Sequence, residues 1–187
     1  MRRAMLDVSI VIGNPKPNSR TGRIAEMVAD EVLAGVEARK RVIDLAQHAD
    51  ELFRWPSQEM ADLNERVADC DLVVFASPTY KATYTGLLKA FLDRYPANGL
   101  RKVTAVPIMT GAGLGHSMAP TTNLIPLLME LGASVPWPGF YFNISQMDQI
   151  DEFVAATAGQ IVGRLRGLAP LAATIGQQSR VRSEGQQ

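Results

Sequence analysis

Apolar positions along this chain follow two alternating rhythms. Residues 6–12 (LDVSIVI) form a β-branched run closed by Gly13, and from Arg20 onward Ile24, Met27, Val28 and Val32 return at helical spacing. The pattern predicts strand, loop, helix, and it repeats. Residues 41–45 (RVIDL) read as a second strand and residues 61–71 (ADLNERVADCD) as a helix ending near Cys70. Residues 71–78 (DLVVFASP) are a third strand, nearly continuous in apolar residues, as a strand buried on both faces should be. A helix follows from about Thr83, with Tyr84, Leu88, Phe91 and Tyr95 on one face, until Pro96 and Asn98-Gly99 break it. Residues 102–110 (KVTAVPIMT) supply a fourth strand. Residues 116–131 are helical in pattern, with Pro120 tolerable in a first turn and Pro126 expected to bend the helix. Residues 133–143 (ASVPWPGFYFN) are an interrupted fifth strand, and Ile150, Phe153, Val154, Ala158, Ile161 and Leu165 mark a last amphipathic helix. The chain closes on a polar, aperiodic stretch, so residues 171–187 are expected to be a disordered tail.

Five strands alternating with helices imply an α/β fold, a parallel sheet covered on both faces, because each parallel strand needs a crossover connection. Residues 1–170 read as a single domain without internal repeat or linker. In such sheets ligands meet the carboxyl ends of the strands, where strand order reverses. Three loops therefore matter: residues 13–22, 77–85 and 110–116.

Composition narrows the classes. The chain has 187 residues, 47% of them apolar, and a formal net charge of zero. A nucleic-acid or membrane-surface binder needs a basic excess to displace counterions, so a small or nucleotide-like partner fits better. The single Cys70 cannot form an intrachain disulfide, and the two histidines have no cysteine cluster to complete a zinc site. A reducing cytoplasm is the expected compartment. The arginine pair and apolar run at the start are interrupted by Asp7 and lack a cleavage pattern, and no apolar stretch approaches the roughly 20 residues of a membrane helix.

The first loop, GNPKPNSRTG, ends at a helix start, so Ser19, Arg20, Thr21 and free helix N–H groups can converge on an anion. It is not a Walker A loop, since Lys16 lies mid-loop. Plain capping by Asn18 or Ser19, with Pro15 and Pro17 stiffening the turn, explains the same residues. The second loop, SPTYKATYTG, offers a flat, partly apolar shelf with backbone donors, although Tyr80 and Tyr84, taken alone, read more readily as partly buried packing residues than as ring-stacking ones. The third, TGAGLGHS, follows the fourth strand and reads G-x-G-x-G, so it is not a dinucleotide fingerprint; its glycines still let backbone approach a ligand closely. His116 after it reads equally as a cap.

In combination these loops resemble the NAD(P)H-dependent FMN reductase family. GNPKPNSRT is similar to its phosphate loop G-S-x-x-x-x-S-x-[ST], SPTYKATYTGLLKAFLD to its P-x-Y-x-x-[ST]-[FY]-[ST]-G-x-[LF]-K segment, and TGAGLGH to its glycine turn over the flavin pyrimidine. The resemblance implies a flavodoxin-like three-layer sandwich, with a five-stranded parallel sheet in the order 2-1-3-4-5. It implies that Asn14, Ser19, Arg20 and Thr21 contact the FMN phosphate, with Asn14 where the family usually has serine. Pro78, Thr79, Tyr80 and Lys81 would bracket the isoalloxazine, and Thr110, Gly111, Ala112 and Gly113 would meet its N1 and O2 edge. It further implies hydride transfer from NADPH or NADH to FMN with no side-chain acid or base, and a homodimer or homotetramer. Within the family the chain looks most like the reductases that supply reduced FMN to two-component monooxygenases. A reductase of quinones, azo dyes or metal oxyanions that keeps FMN bound is the alternative, and a flavodoxin-type electron carrier a third. In some flavin-supplying members an extra tyrosine creates a π-turn after the glycine loop; Thr122 matches that position here, which points toward firmer retention of FMN.

Overall fold

Sequence-local rhythm becomes a sheet through five parallel strands: β1 (Leu6–Ile12), β2 (Ala38–Asp44), β3 (Leu72–Pro78), β4 (Thr104–Gly111) and β5 (Phe140–Asn143). Their spatial order is β2-β1-β3-β4-β5, as the resemblance implies, and every pairing is parallel. The structure, a computed structural model, describes residues 5–184 and the side chains of residues 5–175.

Strand periodicity sorts the core into two layers. Val8, Ile10 and Ile12 of β1 face α1 (Arg20–Val32) and α6 (Ile150–Glu184), meeting Ile24, Val28, Val154 and Ile161. Val11 and Phe75 face the other way, toward α3 (Gln58–Ala68), α4 (Gly86–Leu92) and α5 (Ile125–Glu130), where Met60, Leu88, Phe91 and Leu128 close the layer. A short helix, α2 (Ala49–Leu52), precedes α3. All seven residues of β3 are buried, as its unbroken apolar run predicts. Strand order reverses at β1, which pairs with β2 on one side and β3 on the other, so a crevice opens at their carboxyl ends.

The elements depart from the sequence pattern in four places. The expected helix from Thr83 begins at Gly86, because Tyr80 and Thr83 pair across a tight turn and Thr85 caps the helix by accepting the Leu88 N–H. The fifth strand is only four residues long: Pro136 and Pro138 lack the N–H that a ladder needs, and Ser134 makes just an isolated bridge to Thr104. The expected bent helix over residues 116–131 is instead a 3₁₀ turn (Leu114–His116), a π-turn (Pro120–Leu124) and α5. Finally, α6 continues through residues 171–184, where a disordered tail was expected; residues 185–187 lie outside the described residues. Among the described residues no helix is long and apolar enough to cross a membrane.

Candidate functional site

The β1–α1 loop is built around its own helix start. Ser19 caps α1, its Oγ accepting the Gly22 N–H at 3.1 Å while its carbonyl accepts the Arg23 N–H. Capping and anion binding are therefore compatible here, since the hydroxyl proton of Ser19 and the first-turn amides of Arg20 and Thr21 remain outside the intrahelical ladder. Arg20 is exposed beside them. Asn18 has a left-handed backbone (φ 52°), and its N–H donates to the buried Asp44 carboxylate at the end of β2. Such a conformation is least costly for asparagine among side chains larger than glycine.

Hydrogen bonds knit the three loops into one unit. Asn14 Nδ2 donates to Thr21 Oγ1 at 3.2 Å, and Thr21 Oγ1 lies 2.7 Å from Thr110 Oγ1, all three side chains buried. The Thr79 N–H donates to the Thr110 carbonyl at 2.7 Å, and the Thr85 hydroxyl donates to the Gly13 carbonyl. Gly13 has to be glycine for this approach: a Cβ there would sit 2.5 Å from Leu88 Cβ.

Between the loops lies a groove of about 340 Å³ at the carboxyl edge of the sheet, within the range of small-ligand sites. Asn14, Ser19, Arg20, Thr21, Pro78, Thr79, Tyr80, Thr110, Gly111 and Ala112 line it, so ten of the residues expected from the sequence converge. Lys81 and Gly113 stand just beyond its lining. Lys16, Asn18 and Ile144 line it as well and were not among the expected residues. Tyr80 is half-exposed, and Thr79 turns its buried Oγ1 toward the Tyr141 hydroxyl.

Two supports lie outside the loops. The Tyr141 hydroxyl donates to the Gly113 carbonyl at 2.6 Å, and a Cβ on Gly111 would stand 2.1 Å from the Tyr141 hydroxyl oxygen. The glycine turn thus rests on a tyrosine from β5, and burial pushes that phenol above its ordinary pKa. Carrying the rule that ligands meet strand ends through to the fifth strand would have marked residues 141–144 in the sequence. The second support is Asn123 in the π-turn, whose Nδ2 donates to the Ala82 carbonyl at 3.0 Å. That carbonyl belongs to a two-residue turn, Lys81 (φ 50°) and Ala82 (φ 70°), closed by Tyr80 N–H to Thr83 O at 2.9 Å. Turns of this kind need positive φ at both central positions and favour Asn-Gly; a non-glycine residue held there costs about 1–2 kcal/mol.

The π-turn itself follows from proline chemistry. The Ile125 N–H reaches back to the Pro120 carbonyl, five residues earlier, and Pro126 has no N–H to continue an α-helical ladder. Thr122 occupies this turn without a tyrosine.

Comparison with known proteins agrees with this geometry. The model of the NADPH-dependent FMN reductase family matches residues 6–149. An FMN reductase (NADPH) of Escherichia coli is 30% identical over 143 residues, covering 75% of this chain and 74% of the relative. One from Pseudomonas putida is 33% identical over 147 residues, covering 76% and 73%. A solved structure of an NADH:FMN oxidoreductase in its apo form superposes with a TM-score of 0.75 at 28% identity, over 87% of this chain and 90% of that one.

Proposed function

Since the chain belongs to the NADPH-dependent FMN reductase family, we propose that the three-loop groove seats FMN and that this enzyme releases the reduced flavin to a partner monooxygenase. The observation that carries the seating is the convergence of ten expected residues on one groove. The residues fit a phosphorylated flavin. First-turn amides of α1 and the Arg20 guanidinium form an anion-binding end, the Thr79 hydroxyl beside the Tyr141 phenol supplies polar atoms in the middle, and a glycine turn open enough for close backbone approach forms the far end.

The flavin, when bound, supplies the hydride acceptor for the nicotinamide, and no side-chain acid or base need take part. The chain binds and orients. Arg20, Ser19 and the α1 amides hold the phosphate, with Asn14 and Thr21 keeping the loop in shape through Thr110. Pro78, Thr79, Tyr80 and Lys81 form the shelf under the ring. The backbone of Thr110, Gly111, Ala112 and Gly113 would meet the N1 and O2 edge, where N–H donors would favour the negative charge that reduction brings. Release of flavin is supported by the π-turn, which is present although its tyrosine is not, and by the half-exposed Tyr80 at the open side of the groove. A reducing cytoplasm and a homodimer or homotetramer accompany this reading.

Oxidation of NADPH by the purified protein, followed against increasing free FMN with oxygen as the final acceptor, tests it. A saturable rise from a near-zero baseline is expected. A substantial rate without added FMN, raised only by a quinone or azo dye, would replace flavin supply with a reductase that keeps its flavin.

A further inference from the structure

We propose that Asn123 is a positioning residue that clamps the Lys81–Ala82 turn and thereby sets how long flavin stays on the shelf beside it. The inference rests on the reading of residues 78–81 as that shelf. Lys81 and Ala82 are both left-handed, at φ 50° and 70°, in a turn whose geometry neither residue type favours. Within the turn, Tyr80 and Thr83 exchange backbone hydrogen bonds at 2.9 and 3.2 Å. Held only by these, the turn would relax readily, because its two central residues gain by leaving positive φ. A bond from another element opposes that relaxation: Asn123 Nδ2 to the Ala82 carbonyl, 3.0 Å, spanning 41 residues of sequence.

The amide is itself oriented. The Ala82 carbonyl can only accept, which turns the Asn123 nitrogen toward it and the Asn123 oxygen toward Thr122, whose single hydroxyl proton is shared between Asn123 Oδ1 and the Met118 carbonyl, each at 3.1 Å. In the π-turn, Thr122 and Asn123 precede the widened step at which Ile125 reaches back to Pro120. A change of pitch there would swing Asn123 off the carbonyl. The π-turn and the flavin shelf are in this way one mechanical unit, joined at a single hydrogen bond, and the strained turn is the part that yields when the bond is lost.

The test uses the full chain with Asn123→Ala, Asn123→Asp, Ala82→Gly and the double variant Ala82→Gly/Asn123→Ala. Amide hydrogen exchange at Tyr80 and Thr83 in the flavin-free protein reads the turn directly. Quenching of FMN fluorescence reads affinity and dissociation rate. Asn123→Ala and Asn123→Asp, which both lack the donor, are expected to speed exchange at those amides and to weaken FMN binding by about three- to tenfold, the range one net hydrogen bond supplies, chiefly through faster dissociation. Glycine at position 82 adopts positive φ freely, so in the Ala82→Gly background the loss of Asn123 is expected to have little effect on either readout. An equal effect in both backgrounds, or an unchanged exchange rate in Asn123→Ala, overturns the proposal. A wild-type chain that fails to quench FMN at all would refute the seating of flavin, while the exchange measurement would still decide the clamp.

Discussion

Arg20 and Tyr141 support the two ends of the groove, and they predict different ligand selectivities. In the proposed seating Arg20 meets only the phosphate, so Arg20→Ala should weaken FMN by about tenfold or more, the scale of a hydrogen bond to a charged group, and leave riboflavin binding unchanged. Tyr141 holds the Gly113 carbonyl at 2.6 Å, in the turn that the proposed seating sets against the ring. Tyr141→Phe should therefore weaken FMN and riboflavin alike, by about fivefold for a neutral hydrogen bond. Fluorescence titration of both ligands against both variants separates the two roles. The same pair shows what a sequence carries at this scale. Arg20 stands in a nine-residue stretch, GNPKPNSRT, whose polar residues share one helix start, and so its place at the groove was readable. Tyr141 reaches the glycine turn only because β5 pairs with β4, Met109 opposite Tyr141 and Gly111 opposite Asn143. That register is a long-range fact: the rule that ligands meet strand ends marks the neighbourhood of Tyr141, but not its bond to Gly113.

Among the elements, the first four strands and helices α1 and α3 followed their periodicity closely, while the segment from the glycine turn to α5 did not. Periodicity reports which residues point inward, and Leu124 and Leu128 are indeed buried at helical spacing. It cannot report pitch, which Pro126 changes by withholding one N–H. The π-turn is also braced from behind. Gly139 packs so tightly against it that a Cβ would stand 2.5 Å from both Pro120 C and Thr121 N, and its own N–H donates to Thr121 Oγ1 at 3.1 Å. The neighbours at fault are backbone atoms, which cannot swing aside. Gly139→Ala should therefore destabilise the protein by about 1–3 kcal/mol, as overpacking does, and lower Tm by roughly 2–4 °C per kcal/mol for a chain of this size. Thermal unfolding followed by far-UV circular dichroism checks it. Because the displaced turn carries Asn123, FMN affinity should fall in the same variant even well below Tm.

At the scale of the whole molecule, alternation of elements was enough to indicate a parallel sheet with helices on both faces, since parallel strands admit few other connections. The extent of α6 was not readable, because its turns over residues 165–175 bury no large apolar face: Leu165, Leu168, Leu171 and Ile175 are all exposed. What the sequence does place in the interior has a consequence for pH. Cys70 is buried beside Ser9, its Sγ 3.1 Å from the Ser9 Oγ, and burial raises its thiol pKa. Tyr95, buried beneath α4 with its hydroxyl donating to the Asn64 carbonyl at 3.1 Å, is raised further, again chiefly by burial. Both groups are acids kept neutral in the folded state. In the unfolded chain they ionise near their ordinary values, about 8.5 for the thiol and 10 for the phenol. Above those values the folded state binds more protons than the unfolded one, so stability must decline as pH rises, with each group contributing a slope of up to about 1.4 kcal/mol per pH unit. Urea denaturation at pH 7.5, 9 and 10.5 should show a midpoint that falls with pH at constant m-value. Cys70→Ala should postpone the onset from about pH 9 to about pH 10, when only the phenol remains, although the variant starts from a lower plateau because it leaves a small cavity. An onset unchanged by Cys70→Ala would mean that the thiol already ionises in the folded protein, and that the layer under α3 and α4 admits water.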